Sequence, residues 1–173
     1  MAGFGLVVYG GGMNAVGMTW RRLPTGALAG AIGIFVALPI VFFALQGTLY
    51  LWSALHFEHP AKHELLEAID ADPRRWVKIA AVVSAAVVAP FFEELLFRGC
   101  VQNGLRRATG NPWLAIAVAS ILFASIHAKW TIPPIFVFSV LLGIVYERTR
   151  NLWATTIMHA LFNAFSLMNS GMN

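Results

Sequence analysis

Charged residues are scarce in this sequence: lysine, arginine, aspartate and glutamate make up 12% of its 173 residues. Soluble domains carry about 25% charged residues. Because the composition is also 58% hydrophobic, the sequence is typical of an integral membrane protein. The apolar runs follow one another closely, which leaves little room for a soluble module and predicts one integral membrane domain.

Cysteine is nearly absent as well. Cys100 is the only cysteine in the sequence. This excludes an internal disulfide and a CxxC redox or metal site. Its place in a largely apolar segment is typical of a passive buried thiol.

Acidic residues are fewer than basic ones, and the formal net charge is +4. The basic residues occur in separated pairs, such as Arg21 with Arg22 and Arg106 with Arg107, at the edges of apolar runs. This distribution is typical of charges that set the topology of membrane helices. We therefore expect the lipid bilayer, and no nucleic acid, as a partner of this chain.

The apolar runs predict an all-α, polytopic membrane protein with a bundle of about five to six transmembrane helices. About 20 apolar residues suffice to cross ~30 Å of hydrocarbon. Residues 1–20 are apolar and glycine-rich, and form either a short first span or the remnant of a longer N-terminal region. The five other predicted spans are residues 26–52, 75–107, 113–128, 134–146 and 152–168.

Residues 53–78 form the one polar stretch of any length, and we expect an amphipathic helix at the membrane interface there. Pro60 is suited to the first turn of that helix. His59, His63 and Glu67 are spaced four residues apart, which raises a metal site as an alternative. Because Pro60 leaves His59 outside the helix, the pattern favours a solvated face.

Two adjacent carboxylates, Glu93 and Glu94, follow an apolar run of about fourteen residues. A charged side chain at membrane depth costs about 2.5–3.5 kcal/mol or more, so such residues are rare and usually functional. Two later spans also contain polar side chains: His127 in one, and His159 with Asn163 in the other. These residues are the candidates for a functional site.

Helix geometry predicts that the candidate residues meet. At a rise of about 1.5 Å per residue, Glu93 and His127 each lie roughly 22 Å from the turn at Gly110 on antiparallel helices. The helix that contains His159 and Asn163 starts on the same side of the membrane, and these residues lie about 10 and 17 Å from its start. The depths are close enough for one shared site.

Helical periodicity assigns the two carboxylates to different faces. Glu94 and Arg98 are four residues apart, so they can pair along one side of their helix. Glu93 is rotated about 100° away from Glu94. The spacing therefore predicts a structural Glu94–Arg98 pair, with Glu93 facing the two histidines and the asparagine.

Such a group of side chains is suited to hydrolysis. A buried carboxylate can hold and deprotonate a water molecule, and paired donors on one helix face suit a developing oxyanion. No serine or cysteine lies three or four residues from either histidine, which disfavours a covalent intermediate, and the zinc motif HExxH is absent. An ion or proton pathway and a structural polar network remain as alternatives.

At these residues the sequence resembles the CPBP family, the CAAX proteases and bacteriocin-processing (Abi) intramembrane proteins. Three motifs on successive membrane helices mark that family: EExxxR, FxxxH, and HxxxN or HxxxD. They stand here as EELLFR at 93–98, FASIH at 123–127 and HALFN at 159–163. The resemblance extends from about Pro90 to Met168.

The resemblance implies an intramembrane endopeptidase that uses no cofactor and no metal. Glu93 would activate a water molecule with help from His127. His159 and Asn163 would form the oxyanion hole. The implied location is the membrane, of the bacterial inner or plasma membrane type.

Glu94 and Arg98 also match the motif, and the resemblance implies that they support the site. It further implies a division into N-terminal membrane and interfacial helices over residues 1–78 and a CPBP-like catalytic core over residues 79–173. The substrate would be a peptide or a lipidated protein. A prenylated CAAX terminus, a bacteriocin leader and a membrane-protein tail are all compatible.

Two alternatives stay open on the same residues. The first is a non-catalytic membrane scaffold or regulator of this family. The second is a metal-dependent membrane peptidase, with Glu93, Glu94, His127 and His159 as the metal ligands.

Overall fold

The computed structural model of the chain describes residues 12–57 and 73–170. Within these ranges all regular structure is helical, which confirms an all-α membrane-type protein. Three short 3-10 turns accompany the longer helices: Gly12–Val16, Trp20–Arg22 and Lys129–Thr131. The helices are α1 Leu23–Ala54, α2 Arg75–Thr109, α3 Pro112–Ser125, α4 Ile132–Thr149 and α5 Leu152–Ser170.

Three helical segments in the described part of the chain are long and apolar enough to cross a membrane. They contain α1, α2 and α4. α3 is apolar but shorter. All five helices stand where the apolar runs predict them, with boundaries shifted by a few residues. The predicted interfacial helix, with His59, His63 and Glu67, lies outside the described residues.

α2 switches from α-helical to π-helical hydrogen bonding at two places along its length. π-helical stretches at Ser84–Val88 and Leu95–Gln102 flank an α-helical stretch at Ala89–Glu94. The sequence predicts a kink just before the glutamates at Pro90, and Pro90 lies near the start of the α-helical stretch that follows the first π stretch. A π-bulge inserts one residue per turn and is frequent at functional sites, so both carboxylates lie between two such bulges.

α1 packs against α5 through a row of glycines. A Cβ atom added to Gly26 or Gly30 would lie 2.7 Å from the Trp153 Cβ or the Ala154 carbonyl oxygen, respectively. Small residues spaced four apart let membrane helices approach closely. The helix that contains His159 is therefore in direct backbone contact with the first long helix.

A buried apolar core joins α1, α4 and α5. Ile34 and Val41 of α1 pack with Phe138 and Leu142 of α4 and with Met158 of α5. Because Met158 precedes His159, this core also holds the histidine in place. The exposed apolar side chains of α1, such as Phe35 and Phe43, are typical of a lipid-facing surface.

The segment before α1 is held at one end of the bundle. Val16 and Met18 are buried against Tyr146 and Leu152. Gly17 has a φ of +77°, and a Cβ atom there would lie 2.0 Å from the Arg150 carbonyl oxygen. Residues 12–22 are thus two packed 3-10 turns, whereas residues 1–11 of the predicted first span lie outside the described residues.

Gly30→Ala should destabilise the protein by about 1–3 kcal/mol, because the added methyl group overlaps the backbone of α5. Gly47 in the same helix has no atom within 4 Å of an added Cβ. Gly47→Ala is therefore the matched control, and should be neutral or stabilising by about 0.5–1 kcal/mol. Thermal unfolding in detergent measures both, and equal effects of the two substitutions would contradict the close α1–α5 contact.

Candidate active site

Glu94 is completely buried, with 0% of its surface exposed. Arg98 Nη1 donates a hydrogen bond to Glu94 Oε1 over 2.8 Å, so the structure forms the pair that the spacing predicts. Arg98 Nη2 donates to the carbonyl and hydroxyl oxygens of Ser139, at 2.9 and 2.7 Å. The ion pair within α2 therefore also binds α4.

His159 joins this pair from α5. Its Nδ1 lies 3.0 Å from Glu94 Oε1. Since a carboxylate only accepts hydrogen bonds, Nδ1 is the donor and bears the proton. The sequence predicts that Glu93, rather than Glu94, faces His159. In the structure Glu94 makes the shorter contact, so it has a second partner that the i,i+4 argument did not include.

Glu93 lies on the other side of the same imidazole. Its Oε2 is 3.6 Å from His159 Nε2, and its side chain is 28% exposed. That distance exceeds a normal hydrogen bond of about 2.7–3.2 Å. The two carboxylates thus hold one histidine between them, the buried one by a hydrogen bond and the more accessible one at longer range.

His127 lies beyond the end of α3, which the sequence predicts to reach residue 128 but which ends at Ser125. Its Nδ1 lies 2.8 Å from the Phe123 carbonyl oxygen. A carbonyl only accepts, so Nδ1 is the donor and Nε2 retains its lone pair in the neutral ring. The imidazole therefore caps the end of α3, and the described residues include no hydrogen bond between His127 and Glu93.

Asn163 lies one helical turn after His159 on α5. Its Nδ2 donates a hydrogen bond to the Ala85 carbonyl oxygen over 2.9 Å. An amide nitrogen bears two hydrogens, so one remains for another acceptor. The structure thus brings Asn163 against the first π stretch of α2, a partner that the sequence did not indicate.

The Phe123 ring is the apolar centre of the site. It is 1% exposed, and its centroid lies 4.9 Å from that of His127 and 5.6 Å from that of His159. The Arg98 guanidinium lies 4.9 Å above the same ring, within the range of a cation–π interaction. Both histidines and the arginine therefore take their places around one aromatic side chain.

Two residues of this arrangement were given no role in the site from the sequence. Phe123 is part of the FxxxH motif, and its spacing of four from His127 was the available signal. Ser139 gave no signal, because a serine within an apolar helix is ordinarily satisfied by its own backbone. Its role depends on α4 lying beside α2, which no local pattern reveals.

A metal would need several of these donors at once. Among residues 12–57 and 73–170, no three His, Cys, Asp or Glu side chains are grouped so that they could hold a metal ion. Glu94 is engaged by Arg98 and His159, and His127 caps α3. The donors present therefore do not fit the four-ligand set considered from the sequence.

A family model described as type II CAAX prenyl endopeptidase Rce1-like matches residues 75–165, slightly more than half of the chain. The match contains α2 to α4 and the first three quarters of α5. It therefore includes all six candidate residues: Glu93, Glu94, Arg98, His127, His159 and Asn163. No solved structure gives a significant match.

Curated relatives come from Lactococcus lactis and Bacillus subtilis. The UPF0177 protein YaiH of Lactococcus lactis subsp. lactis (strain IL1403) is 35% identical over 85 residues, which are 47% of this chain and 34% of YaiH. YdiL, a proposed membrane peptidase of Bacillus subtilis (strain 168), is 24% identical over 104 residues, 58% of this chain and 39% of YdiL. The chain thus spans about two fifths or less of the length of these relatives.

Arg98→Met should destabilise the protein by about 3–5 kcal/mol, because it leaves the buried Glu94 charge without its counter-ion. Arg148→Met at an exposed position of α4 is the control and should have little effect. Adding Glu94→Gln to Arg98→Met should recover part of the loss. Thermal unfolding in detergent measures the stability of each variant. A double variant less stable than Arg98→Met alone would contradict the charge pairing.

Proposed function

The chain belongs to the Rce1-like family of type II CAAX prenyl endopeptidases, and on that premise we propose that it is an intramembrane endopeptidase. It would hydrolyse a peptide bond with a water molecule activated by Glu93. The observation that supports this best is the His159 ring held between two carboxylates, Glu94 at 3.0 Å and Glu93 at 3.6 Å. Family membership agrees with the motifs found in the sequence.

Glu93 is the proposed general base. Of the two carboxylates it is the one with an exposed fraction and without an arginine partner. It would take a proton from water while the water oxygen attacks the scissile carbonyl carbon. The protonated Glu93 would then give that proton to the leaving amine, so that the peptide bond breaks and the base is restored.

His159 and Asn163 are the proposed donors to the oxyanion of the tetrahedral intermediate. With its Nδ1 proton engaged by Glu94, His159 can donate from Nε2 only as an imidazolium. The Nε2 proton of that form would be free for the oxyanion, because Glu93 Oε2 lies 3.6 Å away, beyond a normal hydrogen bond. Asn163 would contribute the amide hydrogen that Ala85 does not use.

His127 is proposed to assist Glu93. Its Nδ1 is engaged by the end of α3, so its Nε2 lone pair can accept a hydrogen bond from the attacking water molecule. The contact of its ring with Phe123 fixes the imidazole plane. Phe123 would position both histidines, since it touches each of them.

The proposed substrate is a peptide or lipidated protein that reaches the site within or beside the bilayer. A prenylated CAAX terminus is the substrate class that the family name indicates. A bacteriocin leader or a membrane-protein tail would require the same reaction. The proposed location is a bacterial-type inner or plasma membrane.

A non-catalytic scaffold of this family is the second candidate, and one observation favours it. Glu94, Arg98, His159 and Asn163 each bind a partner within the bundle. Hydrogen bonds of this kind between helices can stabilise a fold without performing chemistry. The cleavage experiment below separates the two functions.

Glu93→Gln should lower kcat by about 10²–10⁴-fold, because the amide cannot accept the proton of water. The assay uses detergent-purified protein and a fluorogenic peptide library with and without prenylated members. Glu147→Gln is the control. Glu147 binds Arg106 and Arg150, about 12 Å further along α4 than Ser139, and its loss should leave kcat unchanged.

The same assay tests metal dependence. Protein stripped with a chelator should retain Glu93-dependent cleavage if Glu93 activates the water molecule without a metal. Activity that disappears with the chelator and returns with added Zn²⁺ would support the metallopeptidase instead. If folded wild type cleaves nothing in the library, the scaffold becomes the better proposal.

A further inference from the structure

The first π stretch of α2 leaves one carbonyl without its backbone partner. The Ala89 N–H donates to the Ser84 carbonyl oxygen, five residues back. In that register the N–H of residue 90 would donate to the Ala85 carbonyl oxygen. Residue 90 is proline and has no N–H, so the Ala85 carbonyl receives no hydrogen bond from it.

An unsatisfied carbonyl is costly at membrane depth, because no water is there to replace the missing donor. Asn163 supplies that donor from α5: its Nδ2 lies 2.9 Å from the Ala85 carbonyl oxygen. A side chain from a neighbouring helix is one of the ways in which membrane helices tolerate proline. The hydrogen bond also orients the amide, with Nδ2 towards α2.

This bond is a second polar bridge between α2 and α5, separate from the contacts at the two carboxylates. The first joins His159 to Glu94. The two residues on α5 are four apart, about 6 Å along the helix axis. A single bridge would allow α5 to rotate about it, whereas two bridges fix the rotation. That rotation sets the distance from His159 Nε2 to Glu93 Oε2.

We propose that Asn163 is a positioning residue: by donating to the carbonyl that Pro90 leaves free, it fixes α5 so that His159 faces Glu93. Its effect on catalysis rests on the proposed endopeptidase function, whereas the coupling between Pro90 and Asn163 does not. This role is additional to a contact with the oxyanion, because each role uses a different amide hydrogen.

The test is a double-mutant cycle of Asn163→Leu and Pro90→Ala. Leucine fills the volume of asparagine but donates no hydrogen bond. Alanine at position 90 restores a backbone donor to Ala85: its own N–H in the π register, or that of Ala89 if the helix returns to the α register. Asn163→Leu should therefore be costly in the wild-type background and much less costly in the Pro90→Ala background.

Thermal unfolding in detergent gives the first readout. Asn163→Leu should lower the midpoint by at least about 2–4 °C, the shift expected in a chain of this size from losing one net hydrogen bond. In the Pro90→Ala background the decrease should shrink to less than half. Equal decreases in the two backgrounds would overturn the proposal.

Asn169→Leu is the matched control, since Asn169 is an exposed amide on the same helix. It should not lower the midpoint. This control also keeps the proposal testable if the Pro90 variants do not fold. Equal shifts for Asn163→Leu and Asn169→Leu would then reject the proposal.

The second readout is kcat. Asn163→Leu should lower kcat more than it raises KM, and Pro90→Ala should restore part of the lost kcat. If Asn163 acts solely as an oxyanion donor, kcat falls by the same factor in both backgrounds, which contradicts the positioning role. Coupling in the unfolding midpoints without cleavage by any variant would support the Asn163 contact and reject the endopeptidase.

Discussion

A single buried carboxylate, Glu94, determines how the helices of this protein can pack. An isolated charge of this kind costs several kcal/mol to bury, so it needs partners of opposite charge or hydrogen-bond donors nearby. Arg98 comes from its own helix, and His159 comes from α5. Because Arg98 in turn binds Ser139 of α4, three helices are tied to one charge, and the more accessible Glu93 is left beside a histidine that is already held.

The π register of α2 and the polar network depend on each other. Two π stretches flank the segment Ala89–Glu94, and each π turn rotates the following side chains relative to an ideal α-helix. Glu93 and Glu94 both lie in the α-helical stretch, about 100° apart, and they approach the same imidazole at its two different nitrogens, Nε2 and Nδ1. The bulge leaves backbone groups to be satisfied from outside, and α5 satisfies one of them through Asn163.

Local patterns in the sequence were sufficient for the helices and for the pair within one helix. Apolar runs predicted all five helices, and the spacing of four predicted the Glu94–Arg98 pair. The contacts that cross between helices were not predictable in the same way. That His159 reaches Glu94 as well as Glu93, and that Asn163 bonds to a backbone carbonyl, depends on the π register and on helix rotation. Neither the π register nor the rotation of a helix gives a periodic signal in the sequence. The early end of α3 was not predicted either, and there His127 caps the helix end through the Phe123 carbonyl.

The short-range partner of Glu94 has a consequence for how such a chain is made. Helices enter the membrane in the order of synthesis, so α2 is complete before α4 and α5 exist. Arg98 lies one turn after Glu94 on the same helix, and the pair is therefore neutral overall from the moment α2 inserts. Ser139 arrives later, and His159 and Asn163 arrive last. The group of candidate residues thus remains incomplete until α5 docks against the glycines of α1.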